Sequence, residues 1–251
     1  MGSRRACEQL IAEGEVAVNG RAITDLPAWV HPVTDRITVR GKPVKPAEPT
    51  VYIMLFKPRG YVCTNDDPDG RPRAVDLVRH PSRSRLYSVG RLDLDSSGLL
   101  LLTNDGELAN RLTHPRYGVH KRYEVTIAGA LEEKDLKRLE RGLYLTGRRE
   151  PPRQKDAASR TKHSRLKLVK RDRDRTRLQM ELREGRNRQI RRMMAQLGHP
   201  VKKLRRVQMG PLKLRDLRPG QWRELLPKEV AALKRAAYST EDRKQSPKRK
   251  K

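Results

Sequence analysis

Apolar positions change period several times along the chain. Between Arg4 and Glu13, Cys7, Leu10 and Ile11 fall on one helical face. In GEVAVNGRAI (14–23), Val16 and Val18 alternate with other residues and Asn19-Gly20 marks a tight hairpin turn. Another strand is predicted over Arg36–Arg40. The three prolines between Lys42 and Thr50 read as a linker. VYIMLFK (51–57) is a short apolar strand halted by Pro58 and Gly60. Leu99–Thr103 is a continuous apolar run, as expected of a strand buried on both faces. After Asp105-Gly106, Leu108 and Leu112 sit four apart, as on a short helix.

Tyr123, Val125 and Ile127 alternate as a strand, and an amphipathic helix is predicted over 131–143. Residues 146–162 are polar, contain Pro151-Pro152, and read as a mobile loop. Segments 165–170 and 177–183 predict a hairpin. A helix over 187–197 follows the EGRN turn, with Ile190, Met193, Met194 and Leu197 on one face and Gly198 as its stop. Pro227 opens a last helix carrying Val230, Leu233 and Ala237. The expected organisation is a small α/β domain over 1–46, a larger α+β domain over 47–238, and a basic disordered tail over 239–251.

Charge changes this picture. The chain has 251 residues and a formal net charge of +28, with 35% hydrophobic but only 4% aromatic residues, so its core must be aliphatic. Residues 1–120 are nearly balanced. Residues 121–240 carry 35 basic against 14 acidic side chains. A charge run is usually a solvated face, but one this lopsided opposes folding unless a polyanion neutralises it, and nucleic acid is the commonest. No stretch approaches the ~18 apolar residues of a membrane span. The N-terminus lacks an apolar signal core, so a cytoplasmic protein is expected. Cys7 and Cys63 are too few for a disulfide framework or a Cys-based zinc site, and the six His show no ligand spacing, so no metal is expected.

Three stretches could carry chemistry. GRLDLDSSGLLLLTNDG (90–106) places an arginine, two carboxylates and two hydroxyls before a buried strand. A plain turn, with Asp95 and Ser96 bonding the backbone, would explain it equally well. In REGRNRQIRRMMAQLGHP (183–200), Arg186, Arg188, Arg191 and Arg192 crowd a turn and the helix after it; a generic phosphate-binding helix would do the same. KPRGYVCTNDD (57–67) is a turn between apolar segments and is weak alone.

Taken together, these stretches resemble the RsuA-type ribosomal RNA pseudouridine synthases. KPRGYVCT (57–64), GRLDLDSSGLLLLTNDG (90–106), KRYEV (121–125), EGRNRQIRRM (184–193) and RVQMGPLKLRDLRPGQWREL (206–225) match that family in order and spacing, over about residues 4 to 235. NDGELANRLTHP (104–115) followed by KRYEV is similar to large-subunit-specific members. The opening SRRACEQLIAEGEVAVNGR resembles the family's front RNA-binding domain, shared with a small-subunit ribosomal protein. Family members usually have a further basic helix before this point, so the domain is expected to be truncated here.

The resemblance implies an α+β fold with a mixed, largely antiparallel sheet and a central cleft. It implies isomerisation of a uridine in ribosomal RNA, without cofactor, by a monomer acting on free RNA or a pre-ribosomal particle. Asp93 would be the catalytic carboxylate, either nucleophile on the anomeric carbon or base toward the ribose 2′ proton. Both roles need it ionised, and a nearby arginine, Arg191 by resemblance, favours that form. Tyr123 would stack on the uracil and could serve the proton transfer at carbon 5. Leu212 would line the pocket. The target would be flipped from its stack, with Arg91 holding its backbone. Arg186, Arg188, Arg192 and Lys57, and Arg4 and Arg5 in front, are the expected RNA contacts.

Two other readings compete. A non-catalytic RNA-binding or ribosome-assembly protein explains the charge but not an acidic loop in a basic chain. A glycoside hydrolase could use Asp93 and Asp95 as a carboxylate pair, but has no use for the charge.

Overall fold

The computed structural model describes residues 4–31, 34–44, 48–82, 84–145 and 159–245, with side chains as far as 238. They form two compact units, Met1–Pro49 and Thr50–Lys251.

In the first unit, α1 (Arg4–Ala12) precedes β1 (Val16–Val18), β2 (Arg21–Ile23), β3 (Ile37–Val39) and β4 (Lys42–Pro43). The strands pair antiparallel in the order β2-β1-β3-β4. Asn19 and Gly20 both take positive φ, 50° and 83°, as a type I′ hairpin turn requires. The proline-rich segment, expected to be linker from Lys42 on, begins instead with an edge strand. Pro43 is tolerated there because an edge position needs no amide donor.

The second unit contains β5 (Tyr52–Lys57), β6 (Tyr87–Ser88), β7 (Ser97–Thr103), α2 (Gly106–Thr113), β8 (Lys121–Ala128), α3 (Glu133–Arg141), β9 (Tyr144–Leu145) and β10 (Ser159–Arg160). Then come β11 (Arg165–Arg171), β12 (Arg175–Leu182), α4 (Gln189–Gln196), β13 (Val201–Met209), β14 (Leu212–Lys213), β15 (Trp222–Glu224) and α5 (Pro227–Gln245). The main sheet runs β11-β12-β8-β13-β7-β5-β15, with β14 on β13 and β6 on β7. Its one parallel pair among the described residues is β13 with β7; all others are antiparallel. The fold is thus α+β with a mixed, largely antiparallel sheet.

Each half of the sheet has its own aliphatic core. Val125, Ile127, Leu178 and Met180 pack with Leu136 and Leu139 of α3 and Ile190, Met193 and Met194 of α4. Leu99 and Leu101 of β7 pack with Leu108 and Leu112 of α2 and Leu233 of α5, while Leu100 and Leu102 face a third cluster with Ile53 and Leu55. So β7 is buried on both faces, as its unbroken apolar run requires. Each such leucine contributes about 1.5–3 kcal/mol.

The loop expected over 146–162 lies outside the described residues as far as 158; Ser159 and Arg160 form β10 on β9. The tail expected from 239 is helical through Gln245, with the remainder outside the described residues. Among the described residues no helix is long and apolar enough to cross a membrane.

Candidate active site

Asp93 lies in the loop leading from β6 into β7. Its backbone is fixed from below by Lys57, the last residue of β5. The Lys57 side chain has no exposed surface. Its ammonium donates to the carbonyls of Pro58 (2.9 Å), Asp93 (3.2 Å) and Ser96 (2.8 Å). Burial pushes the Lys57 pKa down, partly offset by Cys63, Asp93 and Asp95. The sequence suggests Lys57 as an RNA contact; the structure corrects this, since the buried side chain is instead the peg that holds the loop. Gly60 N–H donates to Leu94 O at 2.8 Å, and Leu92 N–H to Cys63 Sγ at 3.4 Å, tying the same loop to the KPRGYVC turn.

Where the loop enters β7, Gly98 has φ 114°. A Cβ there would lie 2.2 Å from the carbonyl oxygen of Arg206 on the parallel strand β13. Only glycine permits that approach. Arg206 is 1% exposed and its Nε donates to Leu99 O at 2.7 Å, locking the two strands together.

Helix α4 brings the partners from the other side. Arg188, at φ 46°, occupies the left-handed region just before the helix. That turn points its guanidinium back to the loop, 3.6 Å from Asp93 Oδ2 and 3.4 Å from Asp95 Oδ1. Arg191, in the first turn of α4, is mostly buried. Its Nη2 reaches Asp95 Oδ2 (3.1 Å), Asp95 O (3.1 Å) and Ser96 Oγ (3.2 Å), and its Nη1 donates to Val201 O (3.3 Å). Burial pushes its pKa down while Asp95 and Asp93 push it up, and guanidinium stays protonated throughout. Its Nε is buried without a hydrogen-bond partner, 3.9 Å from Asp93 Oδ2. That distance is a charge contact rather than a hydrogen bond. It leaves an open donor beside the carboxylate, a place for a ligand atom or water.

Asp93, Arg91, Arg188 and Tyr123 line one cleft, with Leu182, Ile190 and Leu204 as its apolar wall. Tyr123 is half-buried on β8, projecting to the same side as Val125 and Ile127. Arg91 is exposed at the rim and makes no hydrogen bond or ion pair among the described residues. The cleft therefore gathers a carboxylate, flanking guanidiniums, an aromatic face and an apolar wall. That set can hold a planar, polar ring beside an anionic group, with phosphates at the rim.

Other expected residues stand elsewhere. Arg186 lines the cleft, but its guanidinium holds Ser159 O, Ser159 Oγ, Arg160 O and Glu184, so it clasps β10 rather than phosphate. Arg192 is half-buried on α4, next to the cleft residues but not lining it. Leu212 is 2% exposed in the core with Met209 and Leu233, so it does not line the pocket. Leu204, on the neighbouring strand, takes that place. Arg4 and Arg5 are exposed on α1 of the first unit. Sequence reasoning missed Gly98, Arg206 and the buried Glu184, which accepts from Gln189 Nε2 (2.6 Å) and Lys162 N–H (2.9 Å). Among the described residues no group of three or more His, Cys, Asp or Glu side chains could hold a metal ion.

Comparison with known proteins points the same way. Residues 51–196 match a family model described as RNA pseudouridylate synthase. The chain is 41% identical over 237 residues to the ribosomal large subunit pseudouridine synthase B of Bacillus subtilis, covering 94% of this chain and 92% of that protein. It is 40% identical, over 94% of its length and 90% of the relative's, to an uncharacterized RNA pseudouridine synthase of Aquifex aeolicus. A crystal structure of a pseudouridylate synthase superposes with a TM-score of 0.66 at 31% identity, covering 92% of this chain and 94% of that one.

Proposed function

The chain belongs to the RNA pseudouridylate synthase family, and from that premise we propose that it isomerises a uridine of large-subunit ribosomal RNA, with Asp93 as the catalytic carboxylate. The observation that carries this reading is the convergence of Asp93, Tyr123 and Arg188 on one cleft from three separate segments of the chain, with Arg191 set against the Asp93 carboxylate beside it. The large-subunit target is supported by the 41% identity to the B. subtilis enzyme over nearly the full length of both.

The reaction breaks the bond from the ribose anomeric carbon to uracil N1. The base turns, and the same carbon bonds to C5. N1 gains a proton and C5 loses one, so the change is redox-neutral. Asp93 acts on the ribose, by attack at the anomeric carbon or by removing the 2′ proton. Arg191 and Arg188 supply positive potential at its carboxylate while the loop, pegged by Lys57, keeps it from turning away. A base still in its stack hides the reacting atoms from the Asp93 carboxylate, so the nucleotide is flipped into the cleft, at a cost of about a few kcal/mol. Tyr123 offers its ring face to the extruded uracil. Arg91, free at the rim, holds the displaced backbone.

Mapping pseudouridine in ribosomal RNA from cells with and without the protein tests the target. A large-subunit position should lose its pseudouridine on deletion and regain it on complementation. Loss confined to small-subunit RNA would refute the large-subunit reading.

A further inference from the structure

The sheet has a second charged face, on the side away from the cleft. On β8, Tyr123, Val125 and Ile127 point to the cleft and its core, so Glu124 and Thr126 point the other way. The register aligns Arg177 of β12, Thr126 of β8 and Lys203 of β13 in one row across three strands. Gln179, Glu124 and Arg205 form the next row. Arg177, Lys203 and Arg205 are all exposed. With Arg59, from the turn after β5, they line an open groove of about 720 Å³.

Most of this charge is left open: of the five cations lining the groove, Arg205 is paired with Glu124 and Arg175 with Asp172, and the other three are not. Arg59, Arg177 and Lys203 make no ion pair among the described residues, nor does Lys167, which aligns with Gln179 at the far side. Two strand spacings put Arg177 and Lys203 roughly 10 Å apart on a rigid support.

We propose that this rear face binds the phosphate backbone of a helical RNA segment, separate from the segment whose uridine enters the cleft. The proposal rests on the RNA-modifying function given above. The composition of the groove selects the kind of RNA. Single-strand binders interleave cations with exposed aromatic platforms. Here the one aromatic lining residue, Phe56, is 7% exposed, and the remaining polar lining is hydroxyl, carboxylate and cation. Paired RNA hides its bases and offers phosphates and 2′ hydroxyls, which such a face can meet. A helix held behind the sheet would give the enzyme a second anchor, so that a large folded RNA is recognised over more than its target loop.

The test uses the full chain and a 20-base-pair RNA duplex with no unpaired uridine, its affinity measured across a salt series. Arg177→Gln with Lys203→Gln removes two exposed cations without touching the cleft. The log–log salt slope should become shallower by about 2, and affinity at 0.15 M salt should fall tenfold or more. Lys137→Gln with Arg141→Gln, an equal charge loss at two exposed positions of α3, should change both far less. An unchanged slope in the first variant, or an equal loss in the second, would overturn the proposal. So would a loss of binding to polyglutamate with duplex binding intact, which would make the face a site for acidic protein. If the wild type forms no pseudouridine but the first variant still loses duplex binding, the functional reading fails and this surface stands.

Discussion

The ammonium of Lys57 is hydrogen-bonded to the backbone carbonyl of Asp93, 3.2 Å away, so a fully buried cation supports the residue whose carboxylate faces the cleft. Two further carbonyls, of Pro58 and Ser96, share it. Lys57→Met keeps much of the side-chain length but leaves three acceptors unsatisfied. Each unmet buried polar group costs about 1–3 kcal/mol. The variant should lose at least about 3 kcal/mol in urea denaturation, and turnover should fall by about 100-fold even in the fraction that remains folded. A stable, active Lys57→Met would show that the loop holds itself.

Arg191 makes contacts that lysine cannot copy. Its guanidinium spans Asp95, Ser96 and Val201 at once while keeping its Nε toward Asp93. An ammonium is a compact point charge and cannot spread its donors over Asp95, Ser96 and Val201 while also placing one beside Asp93 where the guanidinium Nε stands. Arg191→Lys should lower kcat by about 100-fold with KM changed less than threefold. Arg188→Ala removes a more exposed contact and should cost less, about tenfold. Equal, small losses in both would mean that neither guanidinium acts on Asp93.

Gly98 should tolerate no side chain. Its φ of 114° disfavours any other residue, and a Cβ would meet the Arg206 backbone at 2.2 Å. Gly98→Ala must either separate β7 from β13 or distort the loop before it. A loss of about 3 kcal/mol or more is expected, read as a fall in Tm and in solubility. A near-native Tm would show that the two strands can move apart freely.

Lys121 gives a pH signature. It is 8% exposed, and burial, aided by the nearby charge of Arg206, pushes its pKa down to about 8. The unfolded chain keeps that proton up to the ordinary lysine value near 10.5. Between pH 8 and 10.5 the unfolded state binds more protons, so this group's contribution to stability rises with pH there. Below pH 8 the charged form costs roughly 3 kcal/mol relative to a neutral side chain. Lys121→Met should therefore gain stability relative to wild type at pH 7, and the gain should shrink toward pH 10. A difference that stays constant with pH would place the charge of Lys121 in water.

Much of this fold can be read from the residues alone, where a period is clean. The run Leu99–Thr103, the alternation at Tyr123–Ile127 and the helical spacing of Ile190, Met193 and Met194 each map onto the element they suggest. The central strand β13 does not. Its sequence VKKLRRVQM carries four cations, because one face meets the basic groove and two bulges break the alternation. Three-dimensional neighbours decided the rest. Lys57 looks like any basic residue beside a turn until the loop folds over it. Leu212 follows Gly210-Pro211 as a pocket residue might, but β14 folds it into the core. Asp93 and Arg191 are 98 positions apart, and no local pattern joins them.

The most direct measurement is release of the C5 hydrogen. Large-subunit ribosomal RNA from cells lacking the protein, labelled with tritium at uracil C5, would be incubated with purified wild type and with Asp93→Asn. Wild type should release tritium to water, and Asp93→Asn should release none above background while still binding the RNA. Release at the wild-type rate by Asp93→Asn would contradict the account.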